Sequence, residues 1–266
     1  MTLRDLHLRL CAAGIEEAAL EARILFCHFA ACSPAALLAD PAVDCASPEL
    51  EDALRRREGR EPLGYILGEV GFFDETYTVT PDVLIPRSDT ECLVEEAIRL
   101  IPPHSHFADL CTGSGCVAIS ILCHRPDLTA DAFDLSPAAL RVAEKNARRN
   151  GVADRIRFFE RDLLLSFPEG PYSAIVSNPP YIARDVIPTL SPEVKREPTI
   201  ALDGGEDGLV FYRAMLEHRS PGTPLLWEIG FDQEALIRRL AEDFDLSVRI
   251  LKDLGGNARV AHLFDP

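Results

Sequence analysis

The sequence predicts an α/β fold, a mostly parallel, doubly wound sheet that follows a small N-terminal helical domain, and three observations carry that expectation. From Leu3 to about Arg60, Leu, Ala, Ile and Phe recur at three- and four-residue spacing with almost no strand-like alternation. Beyond Pro86, short apolar runs alternate with helical stretches, the arrangement that β-α-β units and a parallel sheet require. Four of those runs end in a loop or side chain able to hold a ligand, and open α/β sheets bind at the carboxyl ends of their strands.

The elements follow in order. Ser33-Pro34 and Ser47-Pro48 read as helix starts, with Ser as N-cap and Pro at the first helical position. Residues 1–60 hold seven arginines against ten acids, a net of −3, so Arg55, Arg56 and Arg57 read as a solvated helix face, with contact to an acidic partner left open. The composition changes at Glu61-Pro62-Leu63-Gly64-Tyr65-Ile66-Leu67-Gly68. Next, Gly71-Phe72-Phe73 and Thr76-Tyr77-Thr78-Val79-Thr80, broken by Asp74-Glu75 and Pro81-Asp82, predict a short β-hairpin bridging two domains. A strand at Phe107–Leu110 precedes a helix from about Gly115 to Cys123, and a second strand runs from Thr129 to Leu135. Ser136-Pro137 opens a helix that Asn150-Gly151 closes, an N-cap and C′ glycine pair. Strands at Ile156–Glu160, Ala174–Ser177, Pro224–Ile229 and Ser247–Leu251 follow, with a helix at Asp232–Asp243 between the last two.

Composition narrows the function classes. A chain of 266 residues with 47% hydrophobic content has room for a sizeable core in one large domain, or in one large and one small. Its formal charge of −16 and pI near 4.8 oppose binding to a phosphate backbone, and so favour a protein or small-molecule substrate. The eight cysteines (Cys11, Cys27, Cys32, Cys45, Cys92, Cys111, Cys116 and Cys123) include no C-x-x-C pair, and the seven histidines no H-x-x-x-H spacing. Neither a zinc site nor a disulfide framework is signalled, and His104 and His106 read as part of a solvated Pro-rich loop. With no apolar leader segment and no membrane-length apolar run, a reduced, soluble, cytoplasmic protein is expected.

The chemistry concentrates at strand ends. The run Tyr172–Ser177 stops in Asn178-Pro179-Pro180-Tyr181. Proline has no N–H and a fixed φ, so the carbonyls of Asn178 and Pro179 are not absorbed into a helix and stay free to accept. The Asn178 side-chain oxygen adds an acceptor and Tyr181 a ring that can stack, which together suit a planar NH2 group, although Asn and Pro are also ordinary turn residues. Upstream, Asp109-Leu110-Cys111-Thr112-Gly113-Ser114-Gly115 joins the first strand to the first helix. It is not the dinucleotide fingerprint, because Ala118 stands at the third glycine, and it has no lysine for a phosphate loop. Asp134 falls nineteen residues after Gly115, the spacing at which a carboxylate reaches a ribose diol, with a part in the Ser136 cap as its alternative. Asp162 follows the third strand, where it can accept from an adenine amino group while Leu163 covers the ring; a plain surface turn is the other reading. The four strand ends together indicate a nucleoside cofactor beside a nitrogen acceptor.

This set resembles the S-adenosylmethionine-dependent methyltransferases that carry (Asn/Asp/Ser)-Pro-Pro-Tyr. Within them, Pro62-Leu63-Gly64-Tyr65-Ile66-Leu67-Gly68-Glu69-Val70, Val83-Leu84-Ile85-Pro86-Arg87-Ser88-Asp89-Thr90-Glu91 and Glu197-Pro198-Thr199-Ile200-Ala201-Leu202-Asp203-Gly204-Gly205-Glu206-Asp207-Gly208-Leu209 resemble the HemK/PrmC family from about Pro62 to Val260. Members methylate the glutamine side-chain amide in the Gly-Gly-Gln loop of peptide-chain release factors. The resemblance implies a seven-stranded Rossmann-like class I methyltransferase domain at 87–266, a β-hairpin linker at 71–86 and a helical substrate-recognition domain at 1–70. It implies S-adenosylmethionine as cofactor, with S-adenosylhomocysteine as product, and release factors as partners. Cofactor contacts carry over to Cys111, Thr112, Gly113, Ser114, Gly115, Asp134, Leu163 and Asn178, joined by Asp162 from the residue reading. Substrate contacts carry over to Asn178, Pro179, Pro180 and Tyr181, with Asn178 and Pro179 catalytic. The chain departs from the family at Cys111, usually Gly, and Ser88, usually Pro, which puts cofactor affinity and hinge stiffness in question. A ribosomal-protein glutamine methyltransferase, a DNA adenine-amino methyltransferase, which the charge disfavours, and a non-catalytic binding module are the rival readings.

Overall fold

The computed structural model describes residues 1–29, 35, 37, 44 and 47–266. The expected helix start at Ser33-Pro34 lies outside the described residues. The chain forms two compact units, one of Met1–Glu69 with Ser191–Arg196, the other of Val70–Leu190 with Glu197–Pro266.

The first unit is helical: α1 (Leu3–Ala12), α2 (Ala18–Phe29), α3 (Pro48–Glu58) and α4 (Leu63–Leu67). Thr2 and Asp5 cap α1 reciprocally, and the Ser47 hydroxyl accepts from the Leu50 N–H at the start of α3, as Ser47-Pro48 predicts. Leu6, Leu10, Leu25, Phe26, Leu50 and Leu54 make its core, the apolar faces that helical spacing requires. Arg57, expected on a solvated face, is 5% exposed. Its guanidinium is held by Glu21 and Glu193, and such pairing is what lets a helix bury a charge.

A hairpin follows, β1 (Glu69–Phe72) and β2 (Glu75–Thr78), which from Val70 on belongs to the second unit and buries Phe72 and Tyr77 in that unit's core. Then come α5 (Glu91–Leu100), β3 (His106–Leu110), α6 (Cys116–His124), β4 (Thr129–Asp134), α7 (Pro137–Arg149), β5 (Ile156–Glu160) and β6 (Ile175–Ser177). After a long connection follow α8 (Val210–His218), β7 (Leu225–Glu228), α9 (Glu234–Asp243), β8 (Ser247–Lys252) and β9 (Ala258–Phe264). The seven-stranded sheet has the order β5-β4-β3-β6-β7-β9-β8, parallel through β7 and antiparallel at both pairings of β9. Leu225 and Trp227 pack on one face and Leu226 on the other, so period-two alternation fills two separate cores. Helices α5 and α6 contribute Leu93 and Ile119 to one, α8 and α9 contribute Tyr212 and Ile237 to the other. Elements α5, α8 and β9 have no counterpart in the strand and helix boundaries read from the sequence.

Candidate active site at the strand ends

Parallel register does the positioning. Leu110 of β3 is paired with Phe133 of β4 and Ser177 of β6, and Ser177 is paired with Trp227 of β7. The next residues, Cys111, Asp134, Asn178 and Glu228, therefore stand at one level along the sheet edge. Chain order reverses between β3 and β6, and a topological switch point of this kind opens a crevice at the carboxyl ends. A cavity of about 370 Å³ lies there, of the size that small-molecule sites usually have.

Its floor is the loop after β3. Cys111 and Gly113 have φ of 60° and 55°, and Gly115 has 81°, a left-handed backbone that glycine adopts without strain and cysteine only at a cost. Gly115 is required on a second count: a Cβ would stand 2.8 Å from Ile119 Cδ1 and 3.2 Å from Ala143 Cβ. A Cβ on Gly113 would meet nothing within 4 Å, so its freedom serves the conformation and the open space above it. The Asp134 carboxylate ties the loop to β4, accepting the Gly113 N–H at 2.8 Å and the Ser136 N–H at 2.9 Å. Asp134 lines the cavity, and its contact with the Ser136 N–H is the part in the cap of α7 that the sequence offered as its alternative role. Burial raises its pKa, against the N–H groups of Ser136, Gly113 and Leu135, which lower it.

Asp109 is a wall residue to which the sequence reading gave no role. It is 1% exposed and accepts the Thr112 hydroxyl at 2.6 Å, and burial pushes its pKa up to about 7. A lone acidic residue within the apolar run Phe107–Leu110, one position before its end, was the available signal. Asp162 and Leu163 also line the cavity, and Asp162 Oδ1 accepts the Leu164 N–H at 2.9 Å in a tight turn.

Asn178 and Pro180 also line the cavity. Asn178 Nδ2 donates to Thr90 Oγ1 at 3.2 Å, while Oδ1 and the Pro179 carbonyl accept nothing among the described residues. Tyr181 is placed differently from the stacking role expected of it: it is not among the cavity's lining residues. Its ring packs on the core around Trp227, and its hydroxyl donates to Glu228 Oε1 at 3.2 Å.

The remaining wall comes from two motif runs. Val83, Leu84, Pro86 and Arg87 contribute from one, Pro198, Thr199, Ile200 and Ala201 from the other. Glu197, 4% exposed, joins them by accepting the Ile85 N–H at 3.0 Å and pairing with Arg87. The glycine-rich run 203–208 packs on the backbone of Pro180 and Tyr181, where a Cβ on Gly204 would lie 2.9 Å from the Pro180 oxygen. Among the described residues no group of His, Cys, Asp or Glu is arranged to hold a metal ion, and no helix is long and apolar enough to cross a membrane.

Comparison with known proteins agrees with this geometry. Residues 89–195 match the family described as Methyltransferase small domain, and residues 2–68 match the PrmC N-terminal domain. A release factor glutamine methyltransferase of Cereibacter sphaeroides is 44% identical over 95% of this chain and 93% of its own length. One from Moorella thermoacetica is 37% identical over 94% and 93% respectively. The solved hMettl16 catalytic domain is similar in fold, with a TM-score of 0.56 at 15% identity, covering 82% of this chain and 80% of that one. By sequence similarity over nearly its whole length, the chain belongs to the family of release factor glutamine methyltransferases.

Proposed function

We propose that this protein transfers a methyl group from S-adenosylmethionine to the side-chain amide nitrogen of the glutamine in the Gly-Gly-Gln loop of peptide-chain release factors. The observation that carries the reading is the pair of unengaged acceptors, Asn178 Oδ1 and the Pro179 carbonyl, beside a cavity walled by a glycine loop and a buried carboxylate. The residues suit the cofactor: open space over Gly113, Asp134 for a ribose diol, and Asp162 with Leu163 for a purine. Its sulfonium supplies, when bound, the electrophilic methyl group.

An amide nitrogen is a weak nucleophile because its lone pair is delocalised, so the protein's contribution is mainly orientation. Asn178 Oδ1 and the Pro179 carbonyl each accept one N–H of the glutamine amide, which aims the nitrogen and stabilises the positive charge it develops. Pro180 shapes the wall beside them, and Tyr181 braces the turn from behind. The helical unit serves release-factor recognition, and the hairpin over 71–86 joins it to the catalytic part. Release factors as partners would fit a cytoplasmic location, and the −16 charge supports a protein substrate over a DNA base.

The test is incubation with labelled S-adenosylmethionine and a purified release factor, beside a factor whose loop glutamine is replaced by alanine. Label is expected in the first alone. Asn178→Ala is expected to abolish transfer while binding the cofactor normally, and undiminished turnover in that variant would sink the proposed role of Asn178.

A further inference from the structure

The Asn178–Tyr181 turn has little backbone with which to hold itself. Two of its four residues are prolines without an N–H, so its position depends on donors from elsewhere in the fold. One side chain supplies them. Gln233, immediately before α9 and 6% exposed, donates from Nε2 to the Tyr181 carbonyl at 3.0 Å and to the Gly208 carbonyl at 3.4 Å.

The donor is itself fixed. Gln233 Oε1 accepts the Gly230 N–H at 2.9 Å, and the Gln233 backbone N–H returns to the Gly230 carbonyl at 3.0 Å, which closes the turn after β7 on itself. A backbone N–H only donates, so the end of the amide that faces Gly230 is the oxygen, and both protons of the NH2 are left for Tyr181 and Gly208. Both of these backbone neighbours are glycine. A Cβ at 208 would stand 2.9 Å from Gln233 Nε2, and one at 230 would stand 3.2 Å from Gln233 Cδ, so a side chain in either place would crowd the amide.

Three segments therefore meet on one neutral group: the turn that presents Asn178 Oδ1 and the Pro179 carbonyl, the loop whose Asp203 and Gly205 line the cavity, and the turn after β7. Gln233 is not among the cavity's lining residues, so it reaches the chemistry only through what it holds. A buried amide with donors and acceptor all engaged makes a rigid joint and carries no charge to desolvate.

We propose that Gln233 is a positioning residue for methyl transfer: by clamping the Tyr181 carbonyl to the loop at Gly208 and the turn at Gly230, it fixes the substrate-binding turn against the wall of the cofactor cavity. The proposal rests on the reading that Asn178 and Pro179 receive the glutamine amide. Its effect falls on orientation, to which rate is steeply sensitive, since a displacement of about 1 Å can cost about 100-fold.

The experiment compares wild type with Gln233→Met, which keeps the length of the side chain and removes its hydrogen bonds, and Gln233→Asn, which keeps the amide and shortens its reach by one methylene. Tyr77→Phe is the stability control, because it deletes a buried hydroxyl, bonded to Ser120 Oγ at 2.6 Å, in the core on the other face of the sheet. The measurements are kcat and KM on a release factor, cofactor Kd by calorimetry, and melting temperature. Gln233→Met is expected to lose on the order of 10- to 100-fold in kcat with cofactor Kd within about twofold of wild type. Gln233→Asn should show the same split in smaller measure, and it carries the test if the Met variant does not fold. Tyr77→Phe should melt lower yet keep wild-type kcat. A readout independent of turnover comes from 13C-Tyr, 15N-Ile labelling, which selects the Tyr65–Ile66 and Tyr181–Ile182 peptide bonds: the second should shift in the Gln233 variants and the first should not. Turnover of the folded Gln233 variants within about twofold of wild type, a loss confined to cofactor Kd, an equal loss in Tyr77→Phe, or an unshifted Tyr181 carbonyl would overturn the proposal. Absence of turnover in wild type would instead count against the function on which it rests.

Discussion

Gly204 lies directly against the backbone of Tyr181: a Cβ on the glycine would stand 2.8 Å from the Tyr181 Cα, closer than side chains pack. Gly208 is as tightly placed, since a Cβ there would collide with the Tyr181 carbonyl oxygen, and its φ of +75° independently favours glycine. The loop from Asp203 to Gly208 therefore forms a fitted support under the Asn178–Tyr181 turn. Gly208→Ala is expected to destabilise the protein by about 2–4 kcal/mol, combining left-handed strain with overpacking. Gly113→Ala, with nothing within 4 Å of the new methyl, should cost only about 1–2 kcal/mol of backbone strain yet weaken cofactor binding. Denaturant titration and calorimetry on the two variants check the contrast.

Asp109 makes a pH prediction. An aspartate in the unfolded chain titrates near pH 4, whereas burial raises Asp109 to about 7 in the folded protein. Between those values the folded state holds one proton more than the unfolded state, so this group makes stability fall as pH rises, by up to about 1.4 kcal/mol per pH unit. The slope should end above pH 7, where both states are ionised. Asp109→Asn should remove it, which a comparison of unfolding free energies from pH 4 to 8 would reveal; identical slopes in the two proteins would refute the assignment.

The cysteines should differ in reactivity. Burial raises the Cys111 thiol well above its usual range and pushes Cys116 up to about 12, whereas Cys11 is exposed. Because the thiolate is the reactive form, an alkylating reagent at pH 8 should label Cys11 first and leave Cys111 and Cys116 unmodified until the protein unfolds. Mass-spectrometric mapping over time gives the order.

Glu197→Ala should be more damaging than Arg87→Ala. The alanine at 197 strands the buried Ile85 N–H and leaves Arg87 without its partner, at a cost of about 1–3 kcal/mol. Arg87 is itself partly exposed, and water can replace its contact only in part, because Glu197 is 4% exposed. Glu197→Gln keeps an acceptor for Ile85 and should recover most of the loss. Urea midpoints of the three variants rank the effects.

Much of the fold was legible because its signals are local. Ile156–Glu160 is a strand at the boundaries its apolar run gives, and Ser136-Pro137 with Asn150-Gly151 brackets α7 because capping chemistry involves neighbours in sequence. Strand β9 escaped notice because Ala258-Arg259-Val260-Ala261-His262 mixes charges into its run. It is a strand because β7 and β8 flank it on both sides, a fact no local window contains. Arg57 reads as surface in a charged run, and only its tertiary partners Glu21 and Glu193 make its burial tolerable.

For the site, the sequence alone determined which residue types follow the strand ends, Gly113, Gly115, Asp134 and Asn178, because an apolar strand that stops at a polar residue is a one-dimensional pattern. The tertiary structure decided what lies behind them. Parallel register brought Glu228 level with Asn178, turned Tyr181 inward to that carboxylate, and set Gly204 and Gly208 beneath the turn. The physical reason is that an amide's orientation depends on its hydrogen-bond partners, and Thr90, which accepts from Asn178 Nδ2, lies 88 residues away in the chain and stands next to it only once the chain has folded.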